Sequence, residues 1–131
     1  GNDGVWFTGD DVINHYSAYL NDARGLRVRW FKATKAGGDG KWFTTDDVID
    51  SYTTYDYDAL GLLTRYVRFK TPGADGQWFT ADDTVLHYED TRVTDKGSRE
   101  RVSQYDHAGS DNLWFTDDDR TVHVYEYDST S

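Results

Sequence analysis

Gly38-Asp39-Gly40-Lys41-Trp42-Phe43-Thr44-Thr45-Asp46-Asp47 decides how this chain is read, because it occurs four times. The first copy is Gly1-Asn2-Asp3-Gly4-Val5-Trp6-Phe7-Thr8-Gly9-Asp10-Asp11. The third is Ala74-Asp75-Gly76-Gln77-Trp78-Phe79-Thr80-Ala81-Asp82-Asp83, and the fourth is Ser110-Asp111-Asn112-Leu113-Trp114-Phe115-Thr116-Asp117-Asp118-Asp119. The tryptophans stand at 6, 42, 78 and 114, a spacing of 36 residues without drift. Self-similarity at a fixed period of this length marks tandem structural units.

Between the motifs lie stretches that read as hairpins. Val12 to Leu20, rich in β-branched and aromatic residues, predicts a strand. Asn21-Asp22-Ala23-Arg24-Gly25 predicts a turn, with Gly supplying a positive φ at its exit. Leu26 to Lys32 predicts the return strand, its alternating Arg suggesting one wet face. The second unit predicts strands over Val48–Tyr57 and Leu62–Lys70 around Asp58-Ala59-Leu60-Gly61, closed by the breakers Pro72 and Gly73. The third predicts Val85–Val93 and Ser98–Tyr105 around Asp95-Lys96-Gly97. After the fourth motif only Arg120–Tyr127 reads as a strand, followed by a fraying end at Asp128-Ser129-Thr130-Ser131. The expectation is an all-β domain of tandem 36-residue hairpins, three hairpins plus a closing strand, joined by acidic loops. An open meander or solenoid is favoured over a closed barrel. The units run approximately 1–36, 37–72, 73–108 and, in part, 109–131.

Composition narrows the function. The apolar fraction is only 37% while aromatics reach 16%, so a core must be built mainly from Tyr, Trp and Phe. The Trp-Phe pairs are expected to anchor that core. The net charge is −10, and 13 of the 24 acidic residues fall inside the four motifs, so each loop repels itself unless a cation offsets it. With no basic face, nucleic acid is not an expected partner. There is no cysteine, hence neither a disulfide framework nor a thiolate metal site. Neither a signal peptide nor a transmembrane run is present; with no methionine, the chain reads as a piece of a longer protein. His15, His87, His107 and His123 are scattered and fit no ligand spacing. Carboxylate pairs serve glycosidases, but a catalytic pair is normally unique, whereas these recur four times. No Ser-His-Asp or HExxH pattern occurs, so no enzyme is expected.

The motif's own chemistry points to a hard cation. Ca²⁺ takes six to eight oxygens from carboxylates, backbone carbonyls and water. Each loop offers three carboxylates, a Thr hydroxyl and free carbonyls within about ten residues. A solvated acidic turn is the plainer alternative, set against the fourfold retention of three Asp at fixed offsets. The order Asp39, Gly40, the Lys41 carbonyl, Trp42 and Asp46 resembles the second half of an EF-hand-type calcium loop. Asp3, Gly4, Val5, Trp6 and Asp10 fall in the same order, as do Asp75, Gly76, Gln77, Trp78 and Asp82. In the fourth copy, Asp111, Leu113 and Asp118 correspond, and Asn112 replaces the Gly, which it can do because Asn also tolerates positive φ. Lys35 and Gly37 stand where that loop type has its first two acidic ligands, so Asp11, Asp47, Asp83 and Asp119, or a neighbouring unit, must complete the shell. The resemblance implies about one calcium per loop, up to four.

A second resemblance lies in the hairpins. Tyr57-Asp58-Ala59-Leu60-Gly61-Leu62-Leu63-Thr64-Arg65 resembles the YD repeat of RHS-type bacterial proteins, with Asp22-Ala23-Arg24-Gly25-Leu26 a weaker copy and Tyr105-Asp106 and Tyr127-Asp128 isolated pairs. It implies a large secreted or surface-associated protein, of a kind in which some members encapsulate toxin domains. The combined expectation is a calcium-stabilised structural module, extracellular or at the bacterial cell surface. Its partners would be calcium, neighbouring units of the parent chain, and a cell-surface glycan or protein, but no membrane. The alternatives are a carbohydrate-binding module using Trp and Tyr platforms, and a metal-free toxin-shell unit.

Overall fold

The computed structural model describes residues 1–127; the expected frayed end at 128–131 and the Asp of the Tyr127-Asp128 pair lie outside the described residues. Seven strands run in chain order: β1 (Tyr16–Asn21), β2 (Arg27–Lys35), β3 (Val48–Tyr57), β4 (Leu63–Thr71), β5 (Thr84–Val93), β6 (Arg99–His107) and β7 (Arg120–Glu126). They form one antiparallel sheet in the order β1-β2-β3-β4-β5-β6-β7, each strand pairing only with its sequence neighbours. The fold is therefore an open all-β meander. The expected boundaries hold within two residues, except that β1 begins at Tyr16, so 12–15 belong to the loop, and β2 runs three residues further, to Lys35.

The tight turns follow from local chemistry. In the second hairpin the Asp58 carboxylate accepts Leu60 N and Leu62 N, both at 2.9 Å, and Gly61 takes φ 81°. That is a side-chain-nucleated turn ending in a left-handed residue, where glycine carries no Cβ penalty. Asp22 and Gly25 repeat it, while Thr94 and Gly97 give the third turn. The register shifts once beside each tight turn, at Leu20/Asn21, Asp56/Tyr57 and Arg92/Val93, and more strongly at the opposite ends of the hairpins. There the register slips twice in each unit, at Lys32/Ala33 and Ala33/Lys35, at Arg68/Phe69 and Phe69/Thr71, and at Gln104/Tyr105 and Tyr105/His107, repeating at 36-residue intervals. A bulge bends its strand and sharpens the twist, and each acidic loop turns back over one face of the sheet.

That face carries the thin core. Register places Phe31, Tyr52, Phe69, Val67, Val85, Tyr88 and Tyr105 on it, with Tyr52 stacked on Phe69 and Tyr88 on Tyr105 at 4.4 Å. The central cluster is Val67, Val85 and Tyr88, with Phe69, Tyr105 and Trp114 against it. The tryptophans are not the buried anchors expected. Trp42, Trp78 and Trp114 are half-buried and meet the ring of a strand tyrosine edge-on. Tyr52 and Tyr88 are the more deeply buried, because they lie under the loops while the indoles form part of the loops themselves; Tyr16 is half-buried. The Arg rows also divide. Arg65 makes a cross-strand ion pair, bidentate to Asp90 at 2.5 and 2.8 Å. Arg29 stacks over Phe79, 4.2 Å from its centroid, instead of facing solvent.

The second, third and fourth loops are each tied to the strand beneath by a tyrosine hydrogen bond: Tyr16, Tyr52 and Tyr88 donate their hydroxyls to Asp47, Asp83 and Asp119 at 2.8, 2.6 and 2.6 Å. Removing a donor from a buried carboxylate costs about 1–3 kcal/mol. Tyr52→Phe is accordingly expected to lower the urea-unfolding free energy by roughly that amount, whereas Tyr55→Phe, on the other face, changes it by less than about 0.5 kcal/mol.

Candidate metal centre

In the second loop three carboxylates are held in three different ways. Asp39 Oδ1 accepts Lys41 N at 2.7 Å, closing the turn through Gly40. Asp46 Oδ2 accepts Asp39 N at 3.0 Å, drawing the two ends of the loop together. Asp47 Oδ2 accepts Phe43 N at 2.7 Å, Thr44 N at 3.3 Å and the Tyr16 hydroxyl. The consecutive N–H groups of Phe43 and Thr44 make a small anion-binding nest, and Phe43 pays for it with φ 67°. Phe7, Phe79 and Phe115 adopt the same conformation at 67°, 70° and 71°. A bulky residue there is strained by about 1–2 kcal/mol. In the last three copies the ring recovers contact on a strand tyrosine, at 4.6, 4.8 and 4.8 Å.

These bonds leave one oxygen of each Asp of the pair facing a common point, the Thr hydroxyl. Thr44 Oγ1 lies 2.7 Å from Asp46 Oδ1, 3.0 Å from the Lys41 carbonyl, 3.3 Å from Asp47 Oδ1 and 3.5 Å from Asp39 Oδ1. Thr80 repeats this with Asp82, Gln77, Asp83 and Asp75 at 2.8, 3.0, 3.0 and 3.4 Å. Thr116 does so with Asp118, Leu113, Asp119 and Asp111 at 2.8, 3.0, 3.3 and 3.5 Å. A hydroxyl has one proton to give, so four acceptors around it are more than it can satisfy. In the first loop Thr8 Oγ1 meets Asp10 Oδ1 and the Val5 carbonyl at 2.7 and 3.1 Å. Oxygens of Asp3, Asp10 and Asp11 there lie within 4.8 Å of one another, the one such three-carboxylate cluster among the described residues. Two oxygens each about 2.4 Å from a calcium ion are at most about 4.8 Å apart, a limit that the three carboxylates of the first loop meet.

All the sequence-predicted carboxylates and carbonyls are thus brought together within their own loops. The preceding unit contributes the tyrosine that orients the second Asp of the second, third and fourth loops. Burial, then the hydrogen bond to Asp47, pushes the Tyr16 phenol up to about 12, and Tyr52 and Tyr88 are raised in the same way. Asp46 and Asp82 are held below the ordinary carboxylate value of 3.8, first by their Thr hydroxyl and then by the backbone N–H across the loop. Asp10 is lowered likewise, and Asp118 is lowered first by the Ser110 hydroxyl.

Three features escaped sequence reasoning. The Thr hydroxyl is the centre of the cluster rather than one donor among several. The tyrosines at 16, 52 and 88 orient the second Asp. The glycines at 1, 37, 73 and 109 sit where a Cβ would overlap the carbonyl of Asp10, Asp46, Asp82 or Asp118. All three share the 36-residue period, which is the signal that marks them.

Between the second and third loops lies a groove of about 980 Å³, lined by Tyr16, Phe31, Phe43, Asp46, Gln77 and Trp78 among others. Its lining combines aromatic rings and polar groups of both loops.

No model of a known protein family matches the chain, and no match is found among curated proteins. Two solved structures are similar in fold. One is a DUF3836 family protein from Bacteroides vulgatus, with TM-score 0.58 and 14% identity over 88% of this chain and 100% of that one. The other is a DUF3836 family protein from Parabacteroides distasonis, with TM-score 0.53 and 6% identity over 86% of this chain and 89% of that one. At such identities the likeness extends to the fold alone.

Two outcomes follow from the loop geometry. Gly73→Ala, at φ 63° and against the Asp82 carbonyl, is expected to destabilise by at least ~2 kcal/mol in chemical unfolding. Gly9→Ala, with nothing within 4 Å, should be silent; the third copy already has Ala81 there. Because the folded carboxylates of Asp10, Asp46, Asp82 and Asp118 titrate below 3.8, they bind fewer protons than in the unfolded chain. Their stabilisation is present above that pH and lost as pH falls through the lowered folded values. A pH series of melting temperatures should drop in that window, and less so in Thr44→Val.

Proposed function

We propose that the chain is a calcium-binding, calcium-stabilised structural module of a large bacterial secreted or cell-surface protein. The observation that carries this reading is the crowding of acceptors on one hydroxyl. In the second, third and fourth loops a carbonyl and one oxygen from each of three carboxylates lie within 3.5 Å of one threonine hydroxyl, and in the first loop oxygens of Asp3, Asp10 and Asp11 lie within 4.8 Å of one another, an oxygen-rich setting of the kind a hard cation takes. Asp39, the Lys41 carbonyl, Thr44, Asp46 and Asp47 would hold the ion in the second loop, and water would complete the shell. The same roles fall to Asp75, Gln77, Thr80, Asp82 and Asp83, and to Asp111, Leu113, Thr116, Asp118 and Asp119. In the first loop they fall to Asp3, Val5, Thr8, Asp10 and Asp11. Four divalent ions carry eight positive charges against a net charge of −10. At extracellular, millimolar calcium even a site of ~10⁻⁴ M affinity is filled. The biological role is mechanical: a spacer, shell or adhesion segment whose loops stiffen when the ion binds.

The groove favours a second reading, a carbohydrate-binding module, since aromatic rings together with carboxylate and amide groups suit a polyhydroxylated ligand. Thermal unfolding in EDTA and in millimolar calcium, paired with calorimetric titration, separates the readings. The expected result is a large rise in melting temperature with about four sites, and loss of one site in Asp46→Asn/Asp47→Asn. No response to calcium or to any other divalent cation would sink the proposal and leave a metal-free shell unit; glycan-dependent tryptophan fluorescence would support the carbohydrate reading instead.

A further inference from the structure

The second, third and fourth loops each rest on a tyrosine of the strand beneath. Trp42, Trp78 and Trp114 meet Tyr16, Tyr52 and Tyr88 edge-on at 5.8, 5.8 and 6.0 Å. Phe43, Phe79 and Phe115 pack on the same rings, and the second Asp of each of these loops accepts the phenol hydrogen bond, always 31 residues on from the tyrosine. The first loop has the same backbone, with Gly4 at φ 69° and Phe7 at φ 67°. Its Asp11 Oδ2 accepts Thr8 N at 3.0 Å, as Asp47, Asp83 and Asp119 accept the equivalent group. Yet it has no tyrosine. Trp6 is 80% exposed, Phe7 101% and Val12 80%, and Asp11 Oδ1 faces the Gly1 ammonium at 2.6 Å. Phe7 therefore carries the strain of its conformation without the packing that offsets it in the other copies. Beside it, β1 pairs only with β2 and presents an open edge.

We propose that Trp6, Phe7, Asp11 and the free edge of β1 form a docking surface for a further tyrosine-bearing hairpin of this same 36-residue class, joined in register ahead of Gly1. The surface continues an interface made three times within the chain, so the partner's chemistry is specified. Its return strand hydrogen-bonds the β1 edge, its outgoing strand sets a tyrosine ring under Trp6 and Phe7, and its phenol donates to Asp11. A second copy of this chain does not meet that requirement. The phenols of Tyr16, Tyr52 and Tyr88 are already bonded to Asp47, Asp83 and Asp119, and the equivalent position in β7 is Val124. The inference does not depend on cation binding.

The test is a fusion in which a copy of residues 37–72 is placed directly before Gly1, so that the copied Pro72 precedes Gly1 as Pro72 precedes Gly73. Trp6 is isolated by difference against the same protein carrying Trp6→Phe, in EDTA. The expected result is a blue shift of Trp6 emission and a several-fold fall in its quenching by iodide. Tyr52→Ala within the added copy should leave Trp6 as quenchable as in the parent chain. Unchanged Trp6 quenching in the fusion overturns the proposal, and equal protection by the Tyr52→Ala fusion overturns the tyrosine as the recognised group. If the parent chain alone protects Trp6 on dimerising at high concentration, the occupant is a second copy and the assignment fails.

Discussion

The bond between a strand tyrosine and a loop aspartate is the point on which the rest of the structure turns. A seven-stranded single sheet has little core of its own: the buried apolar set among the described residues is Ala33, Tyr52, Val67, Val85, Tyr88 and Val102. What thickens it is the loops, which fold back over one face. They are acidic, and laying a carboxylate on an apolar face costs free energy unless donors meet it. Asp83 solves this with three donors on one oxygen: Phe79 N, Thr80 N and the Tyr52 hydroxyl. Two donors come from the loop and one from the sheet. The loop can therefore hold its own shape, but only the tyrosine fixes where that shape lies. The raised phenol values are the same interaction seen from the other partner, since a phenol that donates to a carboxylate in a half-dry site resists losing its proton.

The strained phenylalanines belong to this arrangement. Only a left-handed residue at that position turns two successive N–H groups toward one carboxylate oxygen. Glycine would do so without strain, but it would leave the tyrosine ring uncovered. Phe79 shows the balance: its backbone is strained, its N–H makes a short charge-assisted bond to Asp83, and its ring packs on Tyr52 and Phe31 while Arg29 stacks on its outer side. A hydrogen bond to a charged group is worth about 1.5–3 kcal/mol, enough to match the backbone term before packing is counted.

The strands and their order were legible because the sequence alternates and the turns are chemically explicit. Val48–Tyr57 could be read to the residue, since Asp47 ends a loop and Asp58 begins a turn. Val12 to His15 was misread as strand, because β-branched residues beside a loop look the same whether or not a partner strand lies opposite them. The grouping of Asp39, Asp46 and Asp47 was also legible, as local spacing brings them together. The role of Tyr16 was not: it is 31 residues from Asp47, and no local pattern connects a phenol on one strand to a carboxylate two strands later. Thr44 was half-visible. Its hydroxyl was counted among the oxygens, but its central place depends on side-chain directions set by the nest and the Gly37 contact.

The paired aspartates divide their oxygens between structure and chemistry. In each of the last three loops Oδ2 of the first Asp draws the loop ends together, and Oδ2 of the second fastens the loop to the sheet. Both Oδ1 atoms then face the threonine. On the proposed reading, a cation at the threonine would grip the free oxygen of the same two carboxylates that set the loop's closure and its seat. The two functions would be coupled through rigid, two-ended groups: a well-seated loop presents its oxygens already converged, and a bound ion resists the separation that unseating requires. The coupling also accounts for the adjacency of the two residues. An alternating strand would send neighbouring side chains to opposite faces, but just after the left-handed turn of Phe43, Asp46 and Asp47 both reach the one hydroxyl, one from the loop's mouth and one from the sheet.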